Sequence, residues 1–129
     1  MPRALYEQMI EHAHEEAPNE CVGLLATRDS EVVKLYRATN AAASPLRFEI
    51  DPREQLSYHN EIESAGLDLG AIYHSHTRTE PRPSQTDINF ARGWPGVLWV
   101  IVGVHDGDSD VRTWRIDDGR VEEAELLVS

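Results

Sequence analysis

Between Leu67 and His105 the alternation of apolar and polar residues changes character three times. "LDLGAIYHS", from Leu67, predicts a strand ending near Ser75. "SQTDINFA", Ser84 to Ala91, predicts a short helix that "WPG" breaks. "VLWVIVGVH" follows as an unbroken apolar run, the pattern of a strand covered on both faces. Upstream, "RALYEQMIEHAHEEA" places Leu5, Met9, Ile10, Ala13 and Ala17 at three- and four-residue spacings, an amphipathic helix stopped by Pro18. "CVGLLAT" and "EVVKLYRAT" flank the turn-forming "RDS" and predict a hairpin. "LRFEI" predicts a short strand with Phe48 and Ile50 on one face. In "DPREQLSYHNEIESAG", Asp51 can cap a helix, Pro52 suits its first position, Glu54 can reach back in a capping box and Gly66 can end it. "DVRTWRID" and "RVEEAELLV" complete the set, joined to their predecessors through "DGDS" and "DG" turns. Helices interspersed among strands, some paired as hairpins, predict a single α/β domain over residues 1–129. Its sheet should be mixed, mainly antiparallel and flanked by helices.

Composition narrows the partners more than the fold. The chain has 129 residues, 40% hydrophobic and 27% charged, enough for one modest core and too apolar for disorder. Twelve basic residues against 23 acidic ones give a formal charge of −11, which argues against nucleic acid and anionic membrane as partners. Val97–Val104 is too short to span a bilayer. The first residues lack the apolar stretch and cleavage site of a signal peptide, so a cytoplasmic location is expected. A lone cysteine, Cys21, excludes an internal disulfide and any Cys-rich zinc site.

The chemistry concentrates in "HSHTRTEPRPSQTD". Along a strand, residues two apart share a side, so His74 and His76 can present both imidazoles together. Ser84 and Asp87 stand three apart, the spacing of a helix capping box, and a loop stiffened by Pro81 and Pro83 can swing that helix start over the strand end. Two imidazoles and a carboxylate are a familiar ligand set for catalytic zinc. Taken alone, Ser-x-x-Asp is usually a plain helix start and His-x-His a weak signal. Together, at this spacing and on strand, loop and helix, they favour a metal site. Glu20, in "NECVGLL", is the candidate general base, although by itself it reads as a solvated turn residue after Pro18 and Asn19. Cys21 should point away from Glu20 as a small core hydrophobe. Tyr73 should face the side of its strand opposite the histidines.

Glu20 with Gly23, then His74-Ser75-His76, Ser84 and Asp87, resembles the signature of the JAMM (MPN+) metalloproteases. The resemblance implies a fold related to cytidine deaminases. It implies one catalytic zinc held by His74, His76 and Asp87, with Glu20 as acid and base and Ser84 supporting the oxyanion. Chain length and loop texture look most like the bacterial stand-alone members. Those enzymes cut between the Gly-Gly tail of a ubiquitin-like sulfur carrier and a cysteine added to it, a step in cysteine biosynthesis. A general isopeptidase for ubiquitin-like modifiers and a module that binds them without cutting are the alternatives. A zinc deaminase is disfavoured because no Pro-Cys-x-x-Cys is present. Arg53, Arg78 and Arg82 are candidate ligands for a substrate carboxylate, Arg78 foremost.

Overall fold

The computed structural model describes residues 1–129, and its elements follow the sequence periodicities closely. They are α1 (Arg3–Glu16), β1 (Val22–Arg28), β2 (Glu31–Ala38), α2 (Pro52–Ser64), β3 (Asp68–His76), α3 (Gln85–Ala91), β4 (Leu98–His105), β5 (Asp108–Asp117) and β6 (Arg120–Ala124). The six strands form one sheet in the order β2-β1-β3-β4-β5-β6. Only β3 and β4 run parallel, because α3 lies between them in sequence and carries the chain back across the sheet. The expected mixed, mainly antiparallel α/β sheet is therefore borne out.

Strand alternation divides the interior. Val22, Leu24, Ile72, Trp99, Ile101 and Trp114 belong to one apolar cluster, which Ile62 of α2 and Ala91 of α3 complete. Cys21, Leu25, Ala71, Tyr73, Val100 and Val102 belong to a second, covered by Met9 and Ala13 of α1. β4, sealed on both faces, is the unbroken apolar run. Gly23 pairs with Tyr73 across β1 and β3, and a Cβ there would meet the tyrosine ring at 2.1 Å. The ring occupies the volume that a side chain at position 23 would need.

Three local expectations differ in the structure. "LRFEI" is not a strand and makes a single bridge, Asn40 to Ile50, although Phe48 and Ile50 are both buried. The Asn40 side chain occupies its backbone instead, accepting from Glu49 N–H and donating to the Arg47 carbonyl, each at 3.0 Å. Asp51 caps α2 as expected, but Glu54 does not reach back to it. Its carboxylate accepts from Thr39 N–H at 2.6 Å and from the Thr39 hydroxyl at 3.2 Å, tying α2 to the end of β2. The β4–β5 turn is tighter than "DGDS": Asp106 and Gly107, both with positive φ, form a two-residue turn between His105 and Asp108.

Candidate metal centre

Two of the site's side chains are set by β3 alone. His74 and His76 leave the same face of the strand, and their Nε2 atoms lie 3.3 Å apart. Both are buried. A third group arrives from α3, because the loop from Thr77 to Ser84 is fastened over the strand ends. The Thr77 hydroxyl donates to the Pro18 carbonyl at 2.7 Å, and Trp114 Nε1–H donates to the Pro81 carbonyl at 2.9 Å. Pro81 also packs on Gly103, where a Cβ would meet the proline ring at 3.0 Å. Helix α3 then begins with a capping box: Asp87 N–H donates to Ser84 Oγ at 3.1 Å, and Ser84 N–H donates to Asp87 Oδ2 at 3.0 Å. That same Oδ2 lies 3.2 Å from His74 Nε2 and 3.0 Å from His76 Nε2. The cap geometry itself delivers the carboxylate to the imidazoles.

Separations of 3.0, 3.2 and 3.3 Å among three ligand atoms suit a small tetrahedral cation. Metal–ligand bonds of about 2.0–2.1 Å give a tetrahedron with edges of roughly 3.3 Å. His76 is oriented for this by its far nitrogen, Nδ1, which donates to the Glu80 carbonyl at 2.8 Å. Glu20 stands two residues before β1 with its carboxylate within 4.8 Å of both histidine nitrogens. Two carboxylates thus compete for the third position. The shorter distances favour Asp87 as ligand and leave Glu20 within reach of a bridging water. Glu20 Oε1 is buried without a hydrogen-bond partner, as a group facing a missing polar ligand would be.

Comparison with known proteins adds an independent line. Residues 2–117 match the family described as prokaryotic homologs of the JAB domain. The chain belongs to the prokaryotic JAB family. It is 38% identical over 122 residues to the desampylase of Haloferax volcanii, covering 88% of this chain and 86% of that protein. It is 36% identical over 127 residues to the CysO-cysteine peptidase of Mycobacterium tuberculosis, covering 96% and 86%. The solution structure of DSY2949 from Desulfitobacterium hafniense superposes with a TM-score of 0.86 at 29% identity, over all of this chain and 93% of that one. The JAMM resemblance is borne out, and so is the reading of the chain as a peptidase.

Within this JAB domain the electrostatics follow the packing. Burial would raise the Asp87 carboxyl, but His74, His76 and the Ser84 N–H outweigh it and hold Asp87 well below the usual carboxylate range. Burial would lower His76, but its bonds to Asp87 and the Glu80 carbonyl prevail and raise it. Glu20 is pushed up to about 8 by burial, with His76 opposing and the Asp87 charge adding to the rise.

Sequence reading missed the groups that hold Glu20 in place. Its N–H donates to the Ser44 carbonyl at 2.9 Å, and its own carbonyl accepts from Asn40 Nδ2 at 3.0 Å. Phe48, from the same segment, packs against the His74 ring with centroids 4.7 Å apart. A lone asparagine has no periodicity to mark it, and the Glu80 carbonyl has no side-chain signature at all. Arg53, Arg78 and Arg82 are exposed, and only Arg78 and Arg82 line the cleft beside Ser84. No helix is long and apolar enough to cross a membrane.

Proposed function

We propose that this chain is a zinc metallopeptidase that hydrolyses the bond after the C-terminal Gly-Gly of a ubiquitin-like sulfur carrier and releases cysteine. The observation that carries this reading is the convergence of His74, His76 and Asp87 to 3.0–3.3 Å, with Glu20 close by and its Oε1 unpartnered. A relative that is a CysO-cysteine peptidase supports the substrate. His74 Nε2, His76 Nε2 and Asp87 Oδ2 would hold the ion.

When bound, zinc supplies Lewis acidity, lowering the pKa of water towards roughly 7 and polarising a carbonyl. Glu20 takes the proton from the attacking water and returns it to the leaving amine. Its carboxylate is buried beside both imidazoles, and Oε1 has no other hydrogen-bond partner to compete for that proton. Ser84 Oγ accepts from Asp87 N–H, which leaves its hydroxyl proton to donate to the oxyanion. The Glu80 carbonyl fixes the ring of His76, and the Ser84 N–H fixes the carboxylate of Asp87.

The test is mass spectrometry of a purified sulfur carrier bearing a C-terminal cysteine, incubated with the zinc-loaded protein. The expected product is the carrier ending in Gly-Gly plus free cysteine, with no reaction in chelator. An intact adduct with one equivalent of zinc bound would overturn the proposed substrate. The desampylase relative favours a second reading, removal of ubiquitin-like modifiers from protein lysines. Cleavage of a lysine isopeptide at a comparable rate would support it.

A further inference from the structure

A cleft adjoins the metal centre on the side of the loop between β3 and α3, and its lining includes Arg78, Thr79, Glu80, Arg82, Ser84 and His105. Three of these touch the ligands: Thr79 Oγ1 lies 3.2 Å from His76 Nδ1, the Glu80 carbonyl accepts from that nitrogen, and Ser84 caps α3 through Asp87. Its charge runs against the character of the molecule. Two arginines and one glutamate line it, within a chain of net charge −11. Four other surface clefts are neutral or acidic. One sets Arg92 against Asp117 and Asp118, another Arg112 against Glu123 and Glu125, another Arg115 and Arg120 against Asp117 and Glu122. In a fourth, Arg115 and the terminal amine meet four carboxylates.

Neither cleft arginine is committed elsewhere. The surface ion pairs of this protein engage Arg37, Arg47 and Arg112, not Arg78 or Arg82. The Arg82 guanidinium lies 5.5 Å from the centroid of the Trp114 ring, which limits its motion while leaving its N–H donors open. The loop beneath both arginines is held by the Trp114–Pro81 and Thr77–Pro18 bonds. Two arginines carried on a pinned loop beside a hydrolytic centre are suited to an anionic group covalently near the scissile bond.

We propose that Arg78 and Arg82 form a subsite for the free α-carboxylate of the residue released. The substrate class is then a tail carrying a single C-terminal amino acid, whose carboxylate lies a few bonds from the cleaved amide. A lysine isopeptide offers no such carboxylate, so the subsite selects for removal of one terminal residue and against deconjugation. This rests on the peptidase reading above and deepens it.

The experiment separates the two claims by measuring binding apart from turnover. The zinc-loaded Glu20→Gln protein is titrated with a synthetic tail peptide ending in Gly-Gly-Ala, as free acid and as C-terminal amide. Alanine avoids the metal-seeking thiol of cysteine. The acid should bind about 10–100-fold more tightly than the amide, the range of a charge-assisted fork. In the Glu20→Gln protein that also carries Arg78→Gln and Arg82→Gln, acid and amide should bind alike, at the level of the amide. Equal affinity for both peptides before the arginines are changed, or no detectable binding of either, overturns the subsite. Wild-type inertness on the carrier adduct overturns the proposed function, and is read independently of these affinities.

Discussion

The two faces of β3 are built from alternate residues of one strand, and they treat buried polar groups in opposite ways. On the α1 face, Tyr73 and His12 are both buried and satisfy one another through a 2.7 Å hydrogen bond. Ser75 Oγ, next along that face, accepts from Cys21 N–H at 2.8 Å. On the α2/α3 face, His74 and His76 turn nitrogen towards nitrogen, and Glu20 Oε1 and His74 Nδ1 have no partner. Burying polar atoms without partners costs more than a typical hydrogen bond returns, so such a cluster persists where a ligand completes it. Tyr36, Trp99 and Thr113 also bury one unpartnered polar atom each, so it is the grouping of such atoms around His74 and His76 that distinguishes this face.

The largest effect should come from Asp87→Ala, which removes the proposed third ligand and half of the α3 cap together. Metal content by atomic absorption should fall to background and peptidase activity with it, and the lost cap should cost about 1 kcal/mol in urea unfolding of the chelated protein. Retained metal would mean that Glu20 serves as the third ligand. Glu20→Gln should keep one equivalent of metal while kcat drops by about 10²–10⁴-fold. A variant with full turnover would show that the base lies elsewhere.

His12 and Glu20, one on each face, should titrate in opposite senses when metal is absent. His12 is lowered from 6.5 to about 4, chiefly by burial. Its folded pKa lies below its unfolded one, so its share of stability is complete above pH 6.5 and is lost as pH falls towards 4. Glu20 rises from 4.5 to about 8, so its share is complete below pH 4.5 and is lost as pH rises towards 8. In chelated protein, urea midpoints against pH should flatten on the acid side in His12→Gln and on the alkaline side in Glu20→Gln. Any loss left below about pH 4 includes the depressed carboxyl of Asp87, and any left towards alkaline pH the raised imidazole of His76 and, above about pH 9, the Cys21 thiol and Tyr73 hydroxyl that burial pushes up. Identical profiles for the two variants would dissolve the contrast. Tyr73→Phe should be mildest for function, with metal content and turnover unchanged, while His12 loses its partner at a cost of about 1–3 kcal/mol in stability.

Much of this was legible in one dimension because periodicity is a local property. The spacing of His74 and His76 puts both on one side of a strand, and Ser84 to Asp87 is a helix cap wherever the helix lies. Glu54 shows the limit of that logic. Its spacing from Asp51 allowed a capping box, but the end of β2 lay close enough for Thr39 to offer two better-placed donors. "LRFEI" failed for a related reason: strand propensity cannot register that one buried amide, Asn40, will take its hydrogen bonds.

Sequence alone determined the inventory: a mixed α/β sheet, two histidines on one strand face, a capped helix carrying Asp87, and an acidic surface. Each follows from interactions between residues a few positions apart, or from counting. Tertiary structure decided which groups meet. Glu20 lies 54 residues before His74, and only the β1–β3 register and the Asn40 contacts bring its carboxylate beside the imidazoles. Arg78 and Arg82 likewise become one cationic cleft only because Pro81 is fastened to Trp114 and Gly103. Such convergence depends on long-range packing, and no local pattern encodes it.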